Sequence, residues 1–546
     1  MPRAALRAAG LNDRRGRTAA RAIAAAVISL ATLLVAALHE HDPYDIHAGL
    51  AAQVVAGLVP LLAAALAGTC VLRPRVGFVA VLLLTPVVNV AQVCWLVVPV
   101  QVIAQTVFVV ALGVGLGLRD AEPPGTELRP AAVPAEHATL RSRISLSIVA
   151  AAAMISMLAL ATLSTAVSPD VQLSATVLLH GILEPAAMAF ILLGLRPTRR
   201  YLVLLLVGMA ISVGLGGLLN MIQTIPAMGS FSAIQANRLL FSRLTYFNVG
   251  LFGEMLAISL PPLLGLLLAH RRGYLRLPRA VLVLLIATLP VDLLGLFLTF
   301  SKSAYLAAFG GCLVLLLLVV RSRRRRLSIV LAAGLVSTAV IPWPAFFLQV
   351  SPPLESAYRS AMVSLMGESR YDSWNPSTVS GRGSLLERWY AAQAAIRMAV
   401  DHPILGIGLD QFKTQYAGHY RPPEAKLDVD WAHSMLPEVA AELGIPALLL
   451  DLLIYAAAML ALWRVYRAPP DPLTRLLACA LLASVVSWLL VGMAFAGDMY
   501  RPWRYMASDY VMMMVLMAAA FALYRWTLSG ARDGATAGAT PGATAE

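Results

Sequence analysis

A histidine, two aspartates and two glutamates are grouped in the segment DVDWAHSMLPEVAAELG, which covers residues 428–444. His433 is followed by Ser434, a residue type that favours the N-cap position, and then by an apolar run that predicts a helix. The partial positive charge of a helix N-terminus disfavours imidazolium, so we expect a neutral ring. A neutral imidazole can accept a proton from a hydroxyl group, which makes His433 a candidate general base; a solvated loop histidine is the alternative.

An Asp-x-Asp pair, Asp428 and Asp430, precedes this histidine. Such a pair can hold a divalent cation, and His433 would supply a third ligand. Hard cations usually take more oxygen ligands than this segment offers, and Asp-x-Asp pairs are common by chance. We therefore predict no metal site. Two other interpretations remain, in which Asp430 orients His433 or both carboxylates are simply solvated.

Arginines form the second group with a chemical use, and they lie in two long polar intervals between apolar runs: Arg238, Arg243, Arg382 and Arg388. A guanidinium group offers a fixed fork of donors that suits pyrophosphate oxygens, and it stays charged at any working pH. The alternative for each arginine is solvation or an ion pair, for example with Glu387 or Glu368. Glycine loops of the Walker or Rossmann spacing are absent, so nucleotide binding is not expected.

The elements that position these residues are membrane helices. The 546 residues are 59% hydrophobic and 13% charged, and a typical soluble domain has about twice that share of charge. Mean hydropathy is +0.76, and apolar runs of about 20 residues recur, each long enough to cross a bilayer as a helix. The four cysteines lie in these runs without metal-ligand spacing. The sequence therefore predicts an all-α polytopic membrane protein.

The formal net charge of +13 reflects membrane topology and does not indicate a nucleic-acid partner. Arginines flank apolar runs in RPTRRY, HRRGYLRLPR and RSRRRR, and they alternate with connections that are poor in Lys and Arg. This is the positive-inside pattern, which orients the N-terminus and the Arg-rich connections toward the cytoplasm.

Apolar runs predict about fourteen spans and divide the chain into segments. These are a basic cytoplasmic N-terminal segment at 1–21, transmembrane helices 1–11 at 22–350, a large periplasmic loop at 351–436, transmembrane helices 12–14 at 437–526, and a disordered cytoplasmic tail at 527–546. The large loop contains GSLLERWYAAQAAIRMAV, which predicts a helix. Ionisable residues inside the predicted spans indicate either a lined cavity or inward packing with partners: His180, Glu184, Glu254, Asp292 and Asp451.

Several of these features together resemble the O-antigen ligase and polymerase superfamily, the Wzy/WaaL-like membrane glycosyltransferases. The matching signature consists, in order, of Arg388, the turn DHPILGIGLDQF, His433-Ser434 and Glu442-Leu443-Gly444. FLTFSKSAYLAA and RLLFSRLTYFNVGLFGEMLA are similar to two further family segments upstream. Lys302 stands where the family usually has Arg, and either Arg382 or Arg388 is the family arginine.

This resemblance implies a GT-C-like bundle of about 12–14 transmembrane helices with one large helical periplasmic loop. It implies an undecaprenyl-pyrophosphate-linked glycan donor and a glycan, lipid A-core or protein acceptor, joined at the periplasmic face of the bacterial inner membrane without metal or other cofactor. The catalytic residues that it implies are His433, Arg388 and Arg382. The implied substrate-binding residues are Arg238, Arg243, Asn248, Lys302, Asp430 and Glu442.

A multi-pass transporter, such as a lipid-linked oligosaccharide flippase, is the alternative function, since many spans and intramembrane charges also suit transport. Transporters commonly contain internal repeats with a binding site at the bilayer midplane, and the sequence shows no such repeat. Duplicated halves would favour transport. A one-sided site formed by His433 and Arg388 would favour transfer, as polymerase or as ligase.

Overall fold

The computed structural model is helical and contains no strand in the residues that it describes, which confirms the predicted all-α fold. The described residues are 14–38, 50–95, 99–118, 145–228, 249–299, 301–320, 322–340, 360, 363–364, 367–368, 379–425, 428–493 and 508–537. Within some of these helices the backbone alone is described.

Sixteen helices are numbered here in chain order. The first eleven are α1 (Arg14–Leu38), α2 (Leu50–Leu72), α3 (Pro74–Trp95), α4 (Pro99–Gly117), α5 (Leu146–Ala166), α6 (Val171–Gly194), α7 (Arg199–Met228), α8 (Val249–Arg271), α9 (Arg279–Thr299), α10 (Lys302–Val319) and α11 (Arg323–Val340). The remaining five are α12 (Val379–Asp401), α13 (Met435–Leu443), α14 (Ile445–Arg467), α15 (Pro472–Met493) and α16 (Ser508–Ala537).

Described helices lie in both chain regions for which the sequence predicts spans, 22–350 and 437–526. Among the described residues, eight helices are long and apolar enough to cross a membrane: α5, α6, α7, α8, α9, α14, α15 and α16. Shorter apolar stretches lie within α1, α2, α3, α4 and α10. The chain is therefore a multi-pass membrane protein, as its composition predicts.

Helix α8 lies at the centre of the bundle. Its apolar window, Phe252–Arg271, is 83% buried, whereas the windows of α5 and α9 are only 33% buried. It packs against α7, α9, α10, α15 and α16. Small residues allow this close approach, since a Cβ added at Gly265 would lie 2.8 Å from the Ala480 Cβ on α15. The outward faces of α5 and α9 expose residues such as Ile155 and Val283, as expected for contact with lipid.

The ionisable residues predicted inside the spans all point inward. Glu254 is 1% exposed, and Asp292 and Asp451 are fully buried. His180 and Glu184 are also buried, and the His180 Nδ1 lies 3.0 Å from the Glu184 Oε1. This pair lies at a π-helical turn, Leu178–Leu183, inside α6. The structure thus favours inward packing for these residues.

Two helix boundaries differ from the prediction. The first of the spans predicted within 437–526 is divided at Gly444 into the short helix α13 and the long helix α14. The last helix, α16, continues to Ala537, within the segment 527–546 for which the sequence predicts a disordered tail. Its apolar part ends near Leu528. The change in composition therefore indicates where the span ends but does not indicate where the helix ends.

Candidate functional site

The candidate site belongs to a compact group of elements that we call the loop unit, consisting of α12, residues 402–434 and α13; residues 426 and 427 lie outside the described residues. Helix α12 packs directly on α13 and presents a face of small side chains to the interior of the unit. The buried core of the loop unit comprises Ala391, Ala394, Ala395, Met398, Ile407, Phe412, Tyr416, Ala425, Ala432 and Ala441. Alanines let the turn that follows α12 lie close to the helix.

That turn, DHPILGIGLDQF, is bound to the C-terminal end of α13 by backbone hydrogen bonds. The Ile407 N–H donates to the Ala441 carbonyl at 2.8 Å, and the Gly408 N–H donates to the Glu442 carbonyl at 3.2 Å. Gly406 has a φ of +66°, and a side chain there would overlap the backbone of Ala441 and Glu442. The glycines of the family-like turn therefore allow two backbone segments to meet.

Gly444 forms the opposite side of this contact. Its φ of +88° and ψ of 167° lie in a region that is essentially confined to glycine, and a side chain would overlap the carbonyl of Ile404. The next residue, Ile445, donates its N–H to the Pro403 carbonyl at 2.8 Å. The turn after α12 is thus fixed to the first residue of a membrane-spanning helix.

Glu442 holds the same turn with its side chain. Its Oε2 accepts from the Asp410 N–H at 3.1 Å, and its Oε1 accepts from the Phe412 N–H at 3.2 Å. The residue is 3% exposed. In this structure Glu442 therefore positions the loop backbone, whereas the resemblance implies that it binds substrate; that role stays a prediction.

Serines on α5 and α6 connect the loop unit to the membrane bundle. The Ser164 hydroxyl donates to the Glu442 carbonyl at 2.8 Å, and the Ser174 hydroxyl donates to the Leu409 carbonyl at 2.6 Å. Both serines are fully buried. The loop unit is consequently attached to the bundle at points far apart in the sequence.

His433 lies at the N-terminus of α13, where the sequence predicts it. Ser434 occupies the N-cap position in an extended conformation, although its side chain makes no capping hydrogen bond. The His433 ring is partly buried, and its Nδ1 accepts a hydrogen bond from the Trp431 Nε1–H at 2.8 Å. The two ring centroids are 5.1 Å apart. His433 has a φ of +55°, which brings the indole of the preceding segment back over the imidazole.

The two aspartates of the Asp-x-Asp pair have different ion-pair partners. Asp430 pairs with the Lys413 Nζ at 2.7 Å, and Asp428 pairs with the Arg421 Nη1 at 2.5 Å. Among the described residues, no three His, Cys, Asp or Glu side chains are grouped so that they could hold a metal ion. Trp431 occupies the imidazole Nδ1. The interpretation in which Asp430 orients His433 stays a prediction.

Two tyrosines show the electrostatic character of the loop unit. Tyr416 is fully buried, and burial, followed by the nearby charge of Glu387, raises the pKa of its phenol above 10.0. The Tyr420 hydroxyl donates to the Asp401 carboxylate at 2.9 Å; burial and then this hydrogen bond raise the pKa of Tyr420. Both phenols are therefore neutral near pH 7.

The predicted arginines are only partly within the described residues. Arg388 lies on α12 with a partly buried side chain, so the packing of α12 on α13 brings it and His433 into the same unit. Arg382 on α12 and Lys302 at the start of α10 belong to described helices, but their side chains lie outside the described residues. Entirely outside the described residues are Arg238, Arg243 and Asn248.

Sequence reasoning missed Trp431, Lys413 and the bundle serine Ser164. Trp431 carried a signal, since an indole two residues before a candidate catalytic histidine can reach its ring when the intervening backbone turns. Lys413 and Ser164 carried none, because they reach the site only through tertiary packing.

Comparison with known families identifies one match in this region. A family model described as O-antigen ligase matches residues 280–451, which include α9 to the start of α14 and therefore the loop unit. Comparison with curated proteins finds no matching sequence. The family match supports glycan transfer of the O-antigen ligase type in general. It confirms the predicted resemblance to the O-antigen ligase/polymerase superfamily over residues 280–451, the segment that carries the candidate site.

Proposed function

We propose that this protein transfers a glycan from a polyprenyl-pyrophosphate carrier, of the undecaprenyl type, to an acceptor sugar hydroxyl at the periplasmic face of the bacterial inner membrane. The observation that carries the proposal is the attachment of the His433 loop unit to the first residue of a membrane-spanning helix, through the Ile445–Pro403 bond. This attachment lies within the segment that matches the O-antigen ligase family.

The location of the loop unit suits a lipid-linked donor. The polyprenyl chain of such a donor remains among lipid tails, so its pyrophosphate must lie near the membrane surface. Helix α14 begins at Ile445, and the start of an apolar membrane helix beside the loop unit supports a position of that unit near the membrane surface. The partial positive charge of the α13 N-terminus lies on the side of His433, which favours an anionic group.

The reaction is a single displacement at the anomeric carbon. The acceptor oxygen forms a bond to that carbon, the bond from the carbon to the pyrophosphate oxygen breaks, and the bonding electron pair leaves with the pyrophosphate. The acceptor hydroxyl loses its proton, and the configuration at carbon inverts. Arg388, with Arg382 as the second candidate, offsets the charge that develops on the departing pyrophosphate. His433 takes the proton of the acceptor hydroxyl as a general base when that hydroxyl replaces the Trp431 N–H at its Nδ1.

A transfer assay with matched variants tests the proposal. Purified protein in proteoliposomes receives a polyprenyl-pyrophosphate-linked glycan and an acceptor, and the product is separated from lipid-linked donor. We expect His433→Ala and Arg388→Ala to lower the rate by about 10²–10⁴-fold without loss of membrane insertion. His419→Ala, which changes an exposed histidine of the same unit, should keep the wild-type rate. Near-normal transfer by the His433 variant would contradict the proposed site.

Deletion of the gene distinguishes transfer from transport. Without a transferase, lipid-linked glycan accumulates on the outer side of the membrane and the polymer or glycoconjugate shortens or disappears. Without a flippase, the same lipid-linked glycan stays on the cytoplasmic side. Shortened polymer would indicate a polymerase, and unmodified lipid A-core or protein acceptor would indicate a ligase.

A further inference from the structure

Helix α12 carries apolar side chains on two opposite sides. On one side, Ala394 and Met398 are fully buried in the core of the loop unit. On the other side, large apolar side chains are exposed: Trp389 is 50%, Ile396 52% and Val400 69% exposed. Residues four and seven positions apart lie on the same side of an α-helix, so these three residues form one line along α12. We call this line the outer face of α12.

The outer face of α12 continues into the exposed surface of a membrane-spanning helix. Ile404, in the turn after α12, is 67% exposed, and a Cβ added at Gly444 would overlap its carbonyl. The Ile445 N–H donates to the Pro403 carbonyl at 2.8 Å, so the turn lies beside the first residue of α14. On α14, Ile445 is 41% and Leu449 61% exposed. The outer face therefore ends where the exposed apolar side of a membrane-spanning helix begins.

We propose that α12 is an interfacial helix whose outer face binds the lipid surface of the membrane that α14 crosses. Trp389, Ile396 and Val400 lie at the boundary between the lipid headgroups and the acyl chains. Helices with one apolar side bind there, with that side buried by about 5–10 Å. The loop unit is then held by lipid on one side of α12 and by its own core on the other. This contact with lipid does not depend on the proposed function.

Two features favour lipid over a protein as the occupant of the outer face. Lipid that surrounds α14 at Ile445 also reaches α12 without a boundary, whereas a protein partner would have to end against lipid within the same apolar surface. The side chains at the outer face are also suitable, since tryptophan is enriched at membrane–water interfaces. Arg397 is exposed next to Ile396, and its long side chain can follow the apolar surface while its guanidinium group reaches lipid phosphates.

The position of α12 has a consequence for Arg388, which directly precedes Trp389 in the chain. A helix held at headgroup level by its outer face keeps Arg388 at the level of lipid phosphates. The pyrophosphate of a polyprenyl carrier lies at that same level, because its chain remains among lipid tails. This consequence rests on the proposed function.

Collision measurements on nitroxide labels in the full chain test the proposal. Cysteine is introduced singly as Ile396→Cys, Val400→Cys or His419→Cys, after the four native cysteines are replaced by alanine. The labelled proteins are placed in nanodiscs of phosphatidylethanolamine and phosphatidylglycerol. Oxygen concentrates among acyl chains, whereas a neutral nickel chelate stays in water. We expect a several-fold higher ratio of oxygen to nickel collisions at positions 396 and 400 than at His419, an exposed polar position of the same unit.

Two results would overturn the proposal. If labels at 396 and 400 met nickel as often as the label at 419, the outer face would lie in water. If they were shielded from both reagents and showed spin–spin broadening, a second copy of the chain would cover the outer face instead of lipid.

Trp389 gives a second measurement that keeps the native cysteines. The fluorescence difference between wild type and Trp389→Phe isolates this indole, and Trp463→Phe does the same for the 41%-exposed Trp463 of the membrane-spanning helix α14. We expect lipids brominated in the upper acyl chain to quench both indoles. Quenching of Trp389 by aqueous iodide, without quenching by brominated lipid, would contradict the lipid contact. Neither measurement uses a glycan, so each can succeed or fail independently of the transfer assay.

Discussion

Two buried glutamates, Glu184 in the membrane bundle and Glu442 in the loop unit, differ in the hydrogen-bond partners of their carboxylates. Glu184 is 3% exposed, and its Oε1 contacts side chains, the His180 imidazole and the Thr106 hydroxyl. Its Oε2 has no hydrogen-bond partner among the described residues. Glu442 is equally buried, but both of its carboxylate oxygens accept from backbone amides of the loop.

The difference lies in what each carboxylate holds in place. Side chains such as His180 and Thr106 can rotate and find other partners, so the bundle does not depend on one arrangement of Glu184. Backbone amides cannot rotate independently, so Glu442 determines the path of the chain from Asp410 to Phe412. The bundle is held mainly by apolar packing, whereas the loop unit combines a small apolar core with a few specific backbone contacts. Substitutions at those contacts should therefore affect the loop unit far more than similar substitutions affect the bundle.

The largest effect is expected from Gly444→Ala. Its backbone conformation suits only glycine, and the strain costs about 1–3 kcal/mol before the overlap with the Ile404 carbonyl is added. Hydrogen–deuterium exchange should accelerate in peptides covering residues 402–412, and transfer should be lost. Gly418→Ala is the matched control, because nothing lies within 4 Å of a Cβ added at that loop-unit position. Similar exchange in both variants would mean that the Gly444 contact does not hold the unit together.

A smaller effect is expected from Glu442→Gln. Glutamine keeps the shape but replaces one accepting oxygen with an N–H₂ group that faces a backbone N–H, at a cost of about 1–3 kcal/mol. Exchange should accelerate at residues 409–412, and thermal unfolding of the loop unit should begin at a lower temperature. Glu184→Gln tests the comparison directly, because its carbonyl can still accept from Thr106 and His180. Equal destabilisation by both substitutions would remove the distinction between the two glutamates.

The smallest effect is expected from alkaline pH. The folded-state pKa of Tyr416 is raised above 10.0, chiefly by burial, so folding favours the neutral phenol. Its contribution to stability is complete below pH 10.0 and is lost as the pH rises through the higher folded-state value. Exchange in the loop unit should therefore accelerate above pH 10 relative to the bundle, after correction for the intrinsic rate, and Tyr416→Phe should reduce that acceleration. If exchange in Tyr416→Phe showed the same pH dependence as in the wild type, other groups would be responsible for the acceleration.

The helices of the bundle could be predicted because a long apolar run can form few structures other than a helix in a membrane. The relation between the turn at Pro403, Gly406 and Gly408 and the segment ending at Gly444 was visible only as a resemblance, and the structure shows its physical basis in backbone contact. The division at Gly444 was not predicted, since the residues on both sides are apolar and glycine is common in membrane helices.

Pairing of side chains was the least predictable part. Asp428 and Asp430 are close in sequence, but each pairs with its own cation, Arg421 and Lys413, which the path of the loop brings to it. The Trp431 bond to His433 depends on a single left-handed residue, which local composition does not indicate. Such contacts follow from tertiary packing and not from spacing along the chain.

The bond between the Ile445 amide and the Pro403 carbonyl couples the loop unit to helix α14, in addition to its contacts with Ser164 of α5 and Ser174 of α6. A membrane helix adjusts its depth and tilt to the thickness of the hydrocarbon layer around it. Any such adjustment of α14 would be transmitted directly to the height of the loop unit above the lipid surface. Lipid composition would thus affect the proposed transfer, because it would change the height of His433 relative to a carrier pyrophosphate in the same membrane.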